Sequence, residues 1–79
     1  MVEGVTNLDK VEKELSLDPL NNSEDIYTIA GYILEKAACI PDAGFKFVVM
    51  QGENDITFEV MDMDKNTVDK VLVTKSIRA

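Results

Sequence analysis

An α+β fold, with two helices packed on one small, mainly antiparallel sheet in the order β-α-α-β-β-β, is what three features of this 79-residue chain predict. Apolar residues recur at helical spacing in the first half, and alternation of period two takes over in the second. Between them, Thr28 to Gly44 (TIAGYILEKAACIPDAG) holds a compact apolar run that stops at Pro41. The approach, the stop and the run of strands behind it define the architecture.

The opening stretch Val2 to Thr6 carries β-branched Val5 and Thr6 beside Gly4, which predicts a short, kinked edge strand. Asn7 is placed to cap a helix, Asp9 lies in the first turn where the dipole favours an acid, and Leu8, Val11 and Leu15 form one face. Leu17 to Glu24 (LDPLNNSE) breaks that helix, since Pro19 biases Asp18 away from helical angles, while Leu17 and Leu20 are expected to pin the loop to the core.

The central helix is predicted to begin at a cap, either Ser23 or Thr28, and to end near Ala38. Ile26, Ala30, Ile33, Ala37 and Ile40 follow a 4-3-4-3 spacing, widened by Ile29 and Leu34 into a face that suits a sheet. Tyr32, Glu35 and Lys36 are then expected to face water or a partner. Gly31 costs about 1 kcal/mol relative to alanine in a helix interior, which points to close packing at the bare backbone.

Pro41 to Gly44 makes the turn into the sheet. Phe45, Phe47 and Val49 alternate with Lys46, Val48 and Met50; Gly52 to Asp55 reads as a hairpin turn; Ile56, Phe58 and Val60 return. A turn at Asp64-Lys65-Asn66 leads to a last strand, Val68 to Lys75. In that strand Val71 and Val73 share a face, yet stepping back by two reaches Asp69 and leaves Val68 on the wrong side. A β-bulge near Asp69-Lys70 is therefore predicted, returning Val68 to the core.

Composition narrows the function. Fifteen acidic against eight basic residues leave a formal charge of −7, which opposes nucleic-acid phosphates and anionic lipid head groups. The acids are scattered from Glu3 to Asp69, as on a solvated surface. With 46% hydrophobic and 29% charged residues, the chain reads as one folded, soluble domain spanning residues 1–79, not as a disordered or membrane-spanning segment. Cys39 has no partner for an internal disulfide, and a reducing compartment fits.

No catalytic residue is assigned. Histidine is absent, which removes the commonest general base and transition-metal ligand. Cys39 falls at a helix C-terminus, where the dipole disfavours a thiolate, and is expected to be a small buried hydrophobe. Asp62 to Asn66 has the alternating oxygens of a calcium loop but lacks the glycine at the sixth place, where Thr67 stands, and the glutamate at the twelfth, where Val73 stands. No metal site is assigned. Phosphate-cradling glycine loops are missing. Met50, Met61 and Met63 could form an adaptable patch on the outer sheet face.

The whole chain resembles the CorC/HlyC transporter-associated domain. The resemblance rests on Gly4, Leu8-Asp9-Lys10-Val11, Thr28 to Leu34, Ile40-Pro41 with Gly44, Ile56 to Val60, and Val68 with Val71 to Thr74. Tyr27 replaces an aspartate of that pattern, and Ala38-Cys39 replaces a glycine-arginine pair, so no anion contact by that arginine carries over. The resemblance implies a fold similar to a subdomain of PCMH-type flavin-binding proteins, in a module excised from a longer membrane protein. There it would follow membrane and CBS domains, on the cytoplasmic side of the bacterial inner membrane.

It further implies a non-catalytic accessory role in magnesium or cobalt efflux, through contacts within its own protein or in a homodimer. Three readings follow. The first is a regulatory module of an ion transporter. The second is a binding module for FAD or an adenine nucleotide, suggested by fold analogy only, with cofactor-binding residues unassigned. The third is a direct sensor of Mg²⁺ or Co²⁺ through Asp62, Asp64 and Asp69.

Overall fold

A computed structural model describes residues 1–20 and 26–77 of the chain. Its elements are β1 (Val2–Glu3), α1 (Leu8–Leu15), α2 (Ile29–Ala37), β2 (Lys46–Gln51), β3 (Asn54–Asp64) and β4 (Thr67–Ile77). The strands form one antiparallel sheet in the order β1-β4-β3-β2. The predicted α+β fold is thus present, with the first strand crossing to the far side of the last.

Alternation along the strands decides what the helices cover. Ile56, Phe58 and Val60 of β3 and Val68 and Val71 of β4 are buried together with Leu8, Val11, Ile29, Ala30, Tyr32 and Ile33 from the helices. Phe45, Phe47, Val49 and Val73 extend this layer, and Leu17 and Leu20 pack against it as the sequence predicts. Gln51 and the backbone of Asp18 exchange two hydrogen bonds of 3.0 Å, tying the loop after α1 to the end of β2.

The predicted bulge is there, and it is double. Val60 pairs with Val71, Asp62 with Lys70 and Met63 with Val68, so Met61 on β3 and Asp69 on β4 are each left without a direct partner. The extra residue on β4 restores Val68, which is fully buried, to the side of Val71.

Several boundaries differ from the sequence reading. Only Val2–Glu3 of the opening stretch is strand, and Val5 is exposed. Asn7 occupies the N-cap position of α1, but its side chain makes no capping bond. The alternative cap Ser23 lies outside the described residues; Thr28 caps α2. That helix ends at Ala37, because Ala38 takes a left-handed conformation at φ 59°. Ile40, assigned to the apolar stripe, is therefore beyond the helix and 56% exposed, and Cys39, expected to be buried, is exposed as well.

Gly44 turns the chain at φ 97°, as predicted for the entry to the sheet. The first hairpin closes through Gly52 and Glu53 alone, with Gly52 at φ 60°. The second closes at Lys65 and Asn66, and both flanking strands run longer than the alternation implies.

Candidate functional site

The start of α2 is where the sequence concentrates its most distinctive residues, and it is a joint between three elements. Thr28, in an extended conformation, accepts the Gly31 N–H on its Oγ1 at 3.2 Å. The Ile29 N–H donates to the Thr6 carbonyl and the Ala30 N–H to the Gly4 carbonyl, both at 3.0 Å. The Tyr32 N–H begins the helical ladder on Thr28. The amides of Ile29, Ala30 and Gly31, of the kind a helix ordinarily leaves for caps, water or anions, are thus taken by the protein itself.

Gly4 connects this end of the helix to the bulge. Its N–H donates to the Asp69 carbonyl at 2.7 Å while its own carbonyl receives Ala30. A Cβ built on Gly4 would lie 2.0 Å from the Val68 carbonyl oxygen and 2.9 Å from its carbon, both backbone atoms. No side chain fits there. The bulge at Asp69 turns the Val68 carbonyl toward β1, and only a residue without Cβ admits it.

Gly31, by contrast, does not serve the close approach expected of it. A Cβ there would meet the Thr28 hydroxyl at 3.5 Å and an Ile26 methyl at 3.7 Å, ordinary contact distances. Gly31→Ala should therefore leave the fold intact and raise its stability by about 0.5 kcal/mol through helix propensity. Urea melts check this; a clear loss of stability would show that the bare backbone at Gly31 is needed.

Tyr32 is the second departure. Expected to face water or a partner, it is instead 2% exposed within the fold, with its ring 5.4 Å from Phe58 and 6.0 Å from Phe47, while Phe47 stacks on Phe58 at 5.1 Å. The Lys36 ammonium lies 5.5 Å from the Tyr32 ring centre and covers its outer side. Burial, reinforced by the carboxylates of Glu35 and Glu12, raises the Tyr32 phenol above its ordinary 10.0. The hydroxyl is held neutral at physiological pH.

The remaining candidates disperse. Met50 and Met61 are exposed on β2 and at the β3 bulge, whereas Met63 packs against the core, so the three do not share a patch. Asp62 and Asp69 flank the Lys70 ammonium at 4.0 and 3.4 Å, which partly neutralises two carboxylates of the proposed cation sensor. Among the described residues, no three His, Cys, Asp or Glu side chains are placed to hold a metal ion. An open depression of about 430 Å³ is lined by Asn7, Leu8, Asp9, Glu12, Ile26 and Tyr27 among others. Its carboxylates disfavour a phosphate, and Glu12 is engaged by the Leu20 N–H at 2.8 Å.

This combination of a short first strand, two helices and a bulged antiparallel sheet matches known domains. The sequence pattern of the family described as "Transporter associated domain", CorC_HlyC, covers residues 1–76. The chain belongs to this family. A transporter associated domain CorC_HlyC from Nitrosomonas europaea superposes with a TM-score of 0.75 at 25% identity, over 95% of this chain and 84% of that one. A CorC_HlyC domain from Haemophilus ducreyi gives 0.74 at 24% identity, over 99% and 86%.

The UPF0053 protein sll0260 of Synechocystis sp. is 30% identical over 77 residues, 95% of this chain but 16% of its own length. The transporter associated domain thus spans about a sixth of that curated relative. No helix among the described residues is long and apolar enough to cross a membrane.

Proposed function

We infer that this chain is a non-catalytic accessory module of a bacterial ion transporter, of the magnesium and cobalt efflux type, acting through contacts with its own protein. Its partners are the membrane and CBS domains of that parent or a second subunit, on the cytoplasmic side of the inner membrane. The observation that carries this reading is the match of a transporter-associated family to nearly the whole chain, while a relative 30% identical to it is some six times longer. A module of this kind exerts its effect on the rest of the protein to which it is joined. The joint at α2 supports the same view. Its amides hold β1 and the bulge together and so build a rigid surface, in contrast to a helix end that greets a ligand.

Removing the domain from its parent should change the rate of ion efflux, the assembly of the parent, or both. Efflux measured in vesicles and oligomer mass both unchanged by the deletion would overturn the proposal. The flavin or nucleotide reading meets the filled amides of α2 and the carboxylates of the nearby depression, and no geometry favours it over the accessory role.

A further inference from the structure

The two edges of the sheet are guarded unequally. On one side β1 covers β4 only at Val71 and Lys70, and beyond it Lys75 reaches back to the carbonyls of Leu15 and Ser16 at 3.2 Å, an inward-facing charge of the kind that discourages strand addition. On the other side β2 ends the sheet with six residues, Lys-Phe-Val-Val-Met-Gln, in unbroken register with β3. It has no proline, no bulge and no inward charge. Its outward side chains Val48 and Met50 are 53% and 69% exposed.

We propose that β2 is a docking edge for β2 of a second copy of this chain, the two strands pairing antiparallel about a two-fold axis at Val48 to give one continuous sheet across both copies. Charge selects this occupant. Within a chain of formal charge −7, Gly44 to Gly52 contains no acid and one base, Lys46. A joint between two copies along this segment brings no carboxylate against a carboxylate.

The pattern is also self-complementary. With Val48 opposite Val48, Phe47 faces Val49 of the second copy on the core side, an aromatic and β-branched pair of the stabilising kind. On the outer side Lys46 faces Met50 of the second copy. The row across the joint then runs Glu59, Lys46, Met50, Asp55, since Glu59 and Asp55 are the β3 neighbours of Lys46 and Met50. Each cation thus has Glu59 beside it on its own copy and meets an uncharged side chain, Met50, across the joint. With the six residues of β2 from each copy, the joint falls short of the roughly 20–30 residues a side of a standard interface, so the association is weak and reversible.

The inference does not rest on the transporter reading, because it is measured on this chain alone. Sedimentation equilibrium from about 0.02 to about 1 mM protein should show mass rising from 8.8 kDa toward twice that value. Association should tighten between about 0.05 and about 0.5 M salt, as the repulsion between two acidic copies is screened. Val48→Lys places like charges face to face and should weaken self-association by about tenfold or more, while its far-UV dichroism and melting show the fold retained. Thr74→Lys, on the same outer face but on β4, should leave association unchanged. A monomer at every concentration and salt, a Val48→Lys variant that associates like the parent, or equal loss in Thr74→Lys would each overturn the proposal.

Discussion

Gly4→Ala should be among the most damaging single substitutions in this domain, lowering its stability by about 3 to 5 kcal/mol. A methyl group at that position falls 2.0 Å from the Val68 carbonyl oxygen, and neither side can yield cheaply. Val68 is fixed by the β3 pairing and by its own burial, and Gly4 is fixed by bonds to Asp69 and Ala30. Pushing β1 away breaks both bonds and frees the start of α2. Because small domains have a total stability of the order of 5 to 15 kcal/mol, the variant should melt far below the parent or lose cooperative unfolding. A melting temperature within a few degrees of the parent would show that β1 is not docked as described.

Tyr32→Ala is the second large effect, with an expected cost of about 3 to 5 kcal/mol from the cavity left beside Phe47 and Phe58. Tyr32→Phe keeps the ring and isolates the hydroxyl. The folded-state phenol titrates above 10.0, raised first by burial and then by Glu35 and Glu12. Where the unfolded chain has released this proton and the folded one has not, stability falls as pH rises. The phenol's contribution is therefore complete below the unfolded value and is lost as pH climbs through the folded one. Denaturant melts above pH 10.0 should show a steeper decline for the parent than for Tyr32→Phe; identical pH profiles would contradict the burial of the hydroxyl.

Much of this structure is visible in the sequence because period and punctuation agree. The helix face of Leu8 and Val11, the strand alternation through Phe58 and the turn at Gly44 all follow from local rules. The bulge at Asp69 was legible too, since an interrupted period of two leaves a single way to bury both Val68 and Val71. What misled was distance along the chain. Gly4 and Gly31 look alike in sequence, and only the path of β4 decides that the first meets a carbonyl and the second an open contact.

Tyr32 reads as a surface residue while the helix is assigned a narrow stripe. It is buried because β2 and β3 bring Phe47 and Phe58 beneath that flank of α2. Ile40 reads as core until Ala38 turns left-handed and ends the helix before it. The candidate site is harder still. The Thr28 cap has a local signature, but the carbonyls of Gly4 and Thr6 that complete the joint come from residues more than twenty positions away and carry no side-chain signal at all.

The start of α2 is an architectural joint whose amides are already bonded within the fold. The direct measurement is an amide-resolved NMR titration of this chain with ATP, FAD and inorganic phosphate to millimolar concentration, combined with hydrogen exchange. The amides of Ile29, Ala30 and Gly31 should be protected to the level of the core and should not shift with any of the three. Rapid exchange at these amides, or saturable shifts centred on them, would contradict the account.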